Sequence, residues 1–205
     1  MIPIMVDLRD RACLVVGGGP VGVRRAGTLL EAGAAVILVC LEAPPVRIAD
    51  RLQWRTEPYR PELLDGIGLV VAAATPAVND RVVSDARARG IWVSSATEPE
   101  AGDFNFPAVA VRGRIRIAVS TGGGSPGLAA VVCDRLRESL DDSVVAWVDL
   151  VADIRREIRP MLSPERRADL LRRLAEPAWL DRIRAEGPEA ARRAMRAVVD
   201  QELGR

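Results

Sequence analysis

Short apolar runs alternate with stretches of helical spacing over the first two thirds of the chain. Ala12–Val16, with C-L-V-V at its centre, predicts a buried strand. Residues 21–32 then place Val23, Ala26, Leu29 and Leu30 on one helical face, and Gly33 ends that helix. Ala35–Cys40 predicts a second strand and Leu52–Thr56 a weaker third. Residues 67–73 predict a fourth, continuously apolar as in a parallel sheet covered on both faces. A helix over 77–89, closed by Gly90, leads to a fifth strand at 91–95. This alternation predicts an α/β fold of the doubly wound, Rossmann type.

The pattern then changes. Residues 112–119 alternate, with Arg114, Arg116 and Ala118 on one face and Ile115, Ile117 and Val119 on the other. That predicts a half-exposed strand, or one that meets a partner. A glycine loop at 121–127 precedes a helix over 127–140. Beyond Asp142 the spacing is helical only, over 144–158, 164–174 and 189–203, with breaks at Pro160, Pro177 and Gly187-Pro188. Ser163-Pro164-Glu165 is a helix start, with a capping hydroxyl and proline at the first position. The expected organisation is a nucleotide-type domain over 1–112, a small segment over 113–142 and an α-helical C-terminal tail over 143–205.

Composition narrows the chemistry. The 205 residues carry 29 basic and 28 acidic side chains, so no net field draws the chain to nucleic acid or an acidic membrane. Every basic residue is arginine; lysine and histidine are absent. A serine–histidine or cysteine–histidine pair, a histidine zinc site, a Schiff-base lysine and a phosphate-loop lysine are all excluded. Acid–base work falls to carboxylates, hydroxyls, thiols, water or a cofactor. Cys13, Cys40 and Cys133 each lie in an apolar run and read as buried free thiols in a reducing compartment. Asp7, Arg9, Asp10 and Arg11 interrupt the apolar start, so no signal peptide is expected, and no apolar run is long enough to span a membrane. A cytoplasmic location is expected.

Gly17-Gly18-Gly19-Pro20-Val21-Gly22 has G-x-G-x-x-G spacing, follows a strand and opens a helix. In that context Gly17 permits a tight turn, Gly19 lets backbone approach a pyrophosphate, and Gly22 permits close helix–sheet packing. Pro20 and Val21 would place the helix N-terminus against the phosphates. The second strand runs into Leu41 and Glu42, and Glu42 stands where an acid binds the ribose hydroxyls of NAD. Arg47, close by, weakens a preference for NAD over NADP. Ala72-Ala73-Ala74-Thr75 ends the fourth strand with small residues suited to a close cofactor, and Asn79 is a nearby hydrogen-bonding group. Thr121-Gly122-Gly123-Gly124-Ser125-Pro126-Gly127 reads either as an anion nest or as a flexible turn. With Arg112, Arg114 and Arg116 upstream, it would suit a polycarboxylate.

Together, V-V-G-G-G-P-V-G, A-A-A-T-P-A-V-N-D-R, D-F-N-F-P-A and I-A-V-S-T-G-G-G-S-P-G-L-A resemble the precorrin-2 dehydrogenase / sirohydrochlorin ferrochelatase family, which includes the N-terminal part of siroheme synthases. The resemblance covers about residues 3–140, and the helical tail more loosely. It implies an NAD-dependent oxidoreductase that converts precorrin-2 to sirohydrochlorin, and some members also insert ferrous iron. It implies a homodimer with a tetrapyrrole cleft between nucleotide and dimer domains. Arg114, Arg116, Thr121 and Ser125 would then serve substrate carboxylates, and NAD would be held by Gly17, Gly19, Pro20, Val21, Gly22, Leu41, Glu42 and Thr75. No resident metal ligands are expected. One position departs from the family. An aspartate implicated in dehydrogenation and chelation usually stands ahead of the proline, and here Thr97 occupies it in Ser94-Ser95-Ala96-Thr97-Glu98-Pro99. Glu98 and Asp103 are the candidate substitutes, and a non-catalytic NAD- or tetrapyrrole-binding homologue is the alternative. A nucleotide-sensing Rossmann module of a transporter is a third reading, against which the S-T-G-G-G-S-P block stands.

Overall fold

In the computed structural model, which describes residues 1–42 and 51–205, the first apolar run is strand β1 (Ala12–Val16). Its side chains are buried on both faces. Leu14 and Val16 enter one apolar cluster, Cys13 and Val15 the other. Helix α1 (Pro20–Glu31) covers the second face through Ala26 and Leu29. β2 (Ala35–Cys40) and β3 (Leu52–Thr56) extend the sheet on one side. β4 (Leu69–Ala72), α2 (Pro76–Ala88) and β5 (Trp92–Ser95) build the other side. Val82, Val83 and Ala86 of α2 close the face opposite α1. The sheet is parallel in the order β3-β2-β1-β4-β5. Two covered faces explain why the central strands read as continuous apolar runs.

The chain divides into two units, Met1–Phe106 and Pro107–Arg205. The second opens with an antiparallel hairpin, β6 (Ala108–Arg112) and β7 (Ile115–Val119). The sequence reading started its strand at Arg112 and missed β6, which lies behind Pro107. The signal was V-R-G-R-I, in which Gly113 takes φ 56° to make a two-residue turn between alternating strands. Arg112, the expected end of the first domain, is thus the last residue of β6 and falls inside the second unit. α3 (Pro126–Glu138) packs on the hairpin through Ala129 and Cys133.

Four further helices follow: α4 (Asp142–Ile158), α5 (Pro164–Leu174), α6 (Ala178–Glu186) and α7 (Pro188–Leu203). Their aliphatic core centres on Leu150, Ile158, Leu170, Leu174, Ile183 and Met195. Ser163 caps α5 as expected, accepting from the Arg166 N–H. The indole N–H groups of Trp147 and Trp179 donate to the carbonyls of Leu174 and Arg173, pairing groups that a helix end leaves open. α6 escaped the sequence reading because Pro177 and Gly187 bound so short a helix. No helix among the described residues is long and apolar enough to cross a membrane.

Candidate functional site

The order in which strands are added reverses at β1, which pairs in parallel with β2 on one side and β4 on the other. Ligands of open α/β sheets bind beyond the strand ends at such a switch. Gly17 is the first residue past β1. It takes φ 116°, and a β-carbon there would lie 2.2 Å from the carbonyl oxygen of Ala73, past the end of β4. A β-carbon on Gly22 would lie 1.9 Å from the Gly17 carbonyl oxygen. Gly19 is different: a β-carbon would meet nothing within 4 Å. Two glycines are therefore required by packing, and the third keeps an open cradle.

Gly19 is also the N-cap of α1 and brings no capping side chain. Pro20 occupies the first turn, which holds no acidic residue, and Pro20 and Val21 are exposed. Helix geometry leaves first-turn N–H groups unpaired, and a pyrophosphate can take them. The residues present fit a dinucleotide.

Leu41 and Glu42 follow β2 at the same sheet edge, both exposed. The Cys40 thiol donates to the Glu42 carbonyl at 2.6 Å, fixing that turn. Cys40 is half-buried, unlike the fully buried Cys13, whose thiol burial pushes up to about 11. A β-carbon on Gly18 would press on Cys40 Sγ at 2.9 Å and on the Trp54 ring at 3.3 Å. The Trp54 indole N–H is buried without a partner among the described residues. Arg47 lies outside the described residues.

Thr75 is the N-cap of α2, just past β4, and its side chain makes no capping bond. Asn79, fully buried, accepts from the Ala74 N–H at 2.8 Å and donates to the Ala74 carbonyl at 3.3 Å and to Thr97 Oγ1 at 3.1 Å. Thr97 Oγ1 lies 3.3 Å from Ser95 Oγ, which accepts from the Glu98 N–H. Thr97 and Glu98 are exposed beyond the end of β5.

The two candidate carboxylates part company. Glu98 stands at the strand-end edge with the glycine turn. Asp103 is bound further back, along the outer side of β5: its N–H donates to the Val93 carbonyl at 2.7 Å and its Oδ2 accepts from the Val93 N–H at 3.0 Å. Its Oδ1 lies 3.8 Å from Arg87 Nε. Asp103 thus pairs the open edge of the sheet.

In the second unit, Arg114 is held by Asp149 at 2.8 Å and Asp153 at 3.6 Å, both on α4. Arg112 pairs with Asp142. Arg116 is exposed on β7, with no ion pair among the described residues. Thr121 Oγ1 accepts from the Ser125 N–H and donates to the Ser125 carbonyl, and Ser125 Oγ caps α3 by accepting from the Leu128 N–H. The Gly122 and Gly124 N–H groups are also bonded within the loop. The loop is a turn closed on itself, with the Gly122, Gly124 and Ser125 N–H groups taken.

The sequence reading missed Ser95 and Trp54. A hydroxyl at the last position of a buried strand, and a lone tryptophan in the weakest strand, were the available signals.

Comparison with known proteins fits this geometry. A family model described as "Putative NAD(P)-binding" matches residues 4–108. The siroheme synthase of Methylococcus capsulatus is 41% identical over 172 residues, which is 82% of this chain and 36% of that protein. That of Methylobacillus flagellatus is 32% identical over 204 residues, 97% of this chain and 44% of that protein. The chain spans less than half the length of these relatives. A solved structure, SirC, a precorrin-2 dehydrogenase, superposes with a TM-score of 0.72 at 25% identity, covering 96% of this chain and 100% of that one. The chain belongs to the NAD(P)-binding family of SirC-like precorrin-2 dehydrogenase domains that form the N-terminal part of siroheme synthases.

Proposed function

We propose that this chain binds NAD at the C-terminal edge of its parallel sheet and oxidises precorrin-2 to sirohydrochlorin, as a cytoplasmic homodimer. One observation carries the reading: at the switch point Gly17 and Gly22 are closed by packing while Gly19 stands open. The likeness to SirC supports the substrate.

When bound, NAD supplies a hydride acceptor. Gly19 and the first turn of α1 hold the pyrophosphate, and Glu42 takes the ribose hydroxyls. Thr75 and the small residues ending β4 would leave room for the cofactor. Glu98 would accept a proton from the substrate. Asp103, with both oxygens engaged, holds the edge of the sheet instead. On the hairpin of the second unit, Arg116 is the arginine left available for a carboxylate ligand among the described residues, since Arg112 and Arg114 are engaged by α4. Thr121 and Ser125 shape the loop before α3.

The dimer proposal rests on the second unit. Val109 and Val111 of β6, and Leu128, Val131, Val132 and Leu136 of α3, are exposed on the outer faces of this hairpin–helix layer. Apolar faces of this kind mark an interface.

Thr97 favours a second reading, a binding protein without turnover, because a hydroxyl stands in the aspartate's place. Purified protein, NAD and precorrin-2 generated in situ separate the two. Sirohydrochlorin formed by the native chain supports the enzyme; formation only by Thr97→Asp overturns it. Ferrous iron added to sirohydrochlorin tests insertion separately.

A further inference from the structure

The hydrogen bonds around Asn79 fix which way each proton points. The Ala74 N–H can only donate, so the Asn79 atom facing it at 2.8 Å is Oδ1. That leaves Nδ2 facing Thr97 Oγ1, at 3.1 Å. An amide N–H only donates, so the Thr97 oxygen accepts there. One further contact joins Thr97 Oγ1 to Ser95 Oγ, at 3.3 Å, and a single hydroxyl proton serves it. Ser95 Oγ already accepts from the Glu98 N–H. Two hydroxyl protons share one contact, so one is left over. Ser95 is only 4% exposed and Thr97 is exposed. A surplus proton on buried Ser95 would go unpaired, at a cost comparable to a lost hydrogen bond. The lower-energy arrangement has Ser95 donating to Thr97, and Thr97 donating outward.

We infer that Asn79 is a positioning residue which, with Ser95, turns the Thr97 hydroxyl into an outward hydrogen-bond donor for a ligand oxygen. This rests on the cofactor and substrate assigned above and sharpens them. The family aspartate would accept at this position; Thr97 offers a proton instead. Its partner is a carbonyl or carboxylate oxygen, supplied either by the carboxamide of the nicotinamide or by a side chain of the tetrapyrrole.

Dissociation constants of NAD, ADP-ribose and sirohydrochlorin test this on the native chain, Thr97→Val, Thr97→Ser and Asn79→Asp. If the oxygen is the carboxamide, Thr97→Val weakens NAD roughly three- to tenfold and leaves ADP-ribose unchanged. If it belongs to the tetrapyrrole, sirohydrochlorin weakens by the same factor and both nucleotides are unchanged. In either case Thr97→Ser stays near the native value. Asn79→Asp puts a second acceptor against Thr97 and turns its proton inward, so it matches Thr97→Val, and the double variant loses nothing further. A merely structural Asn79 would not give that coupling. If Asn79→Asp does not fold, the two Thr97 variants decide. Equal constants for all ligands in Thr97→Val, equal losses for NAD and ADP-ribose, or a Thr97→Ser as weak as Thr97→Val would overturn the inference. Failure of the native chain to turn over precorrin-2 would sink the dehydrogenase reading and leave the nucleotide comparison intact.

Discussion

A β-carbon on Gly22 would stand 1.9 Å from the carbonyl oxygen of Gly17, so the first turn of α1 rests directly on the turn that leaves β1. Packing permits no side chain there. Gly22→Ala is expected to destabilise the fold by about 1–3 kcal/mol through overpacking, and to weaken nucleotide binding together with stability. Thermal melts with and without NAD check this.

Gly19→Ala gives the opposite pattern. Its β-carbon meets no protein atom within 4 Å, so the melting temperature without ligand falls only by the few degrees that alanine costs at an N-cap, about 1 kcal/mol. The methyl group would fill the cradle, and the stabilisation by saturating NAD should largely vanish. Unchanged NAD stabilisation would place the pyrophosphate elsewhere.

The two carboxylates separate by what is lost. Asp103→Ala leaves the Val93 N–H without its acceptor and is expected to cost about 1–3 kcal/mol of stability, with turnover per folded molecule nearly unchanged. Glu98→Gln is expected to leave the melting temperature alone and to lower turnover by about 10²-fold or more. Stability curves and rates on the same samples compare them.

Replacing Val131 with aspartate puts a charge on an exposed apolar helix face. If the proposed dimer forms through this face, sedimentation should show a dimer for the native chain and a monomer for Val131→Asp. A dimer that survives Val131→Asp and Val109→Asp together places the interface elsewhere.

Cys13 carries the clearest pH signature. Its thiol is raised to about 11 by burial beneath α1, against an ordinary value of 9.0. A raised folded value means the unfolded chain releases this proton first. The stability tied to the neutral thiol is whole below pH 9 and falls as pH rises towards 11. Cys13→Ala should flatten that part of the profile.

The alternation of runs made the parallel sheet legible, because strands such as β1 and β4 are buried on both faces and carry their pattern locally. The turn at Gly17 and the close packing at Gly22 were legible from spacing alone, since both are properties of one short segment. What spacing could not supply was pairing between distant residues. That Asp103 is spent on the edge of β5, that Arg114 is turned to α4, and that Thr121 and Ser125 close on one another depend on neighbours brought in by the fold. β6 escaped for a related reason: only Ala110 of its five residues is buried, so its pattern gains meaning only beside β7.

The most direct measurement follows NADH and sirohydrochlorin together, by absorbance, after precorrin-2 is formed in situ with the purified chain and NAD. The account predicts that both appear in equal amounts, that both require the chain, and that Gly19→Ala suppresses both. Sirohydrochlorin appearing no faster than in a protein-free control, or without matching NADH, would contradict it.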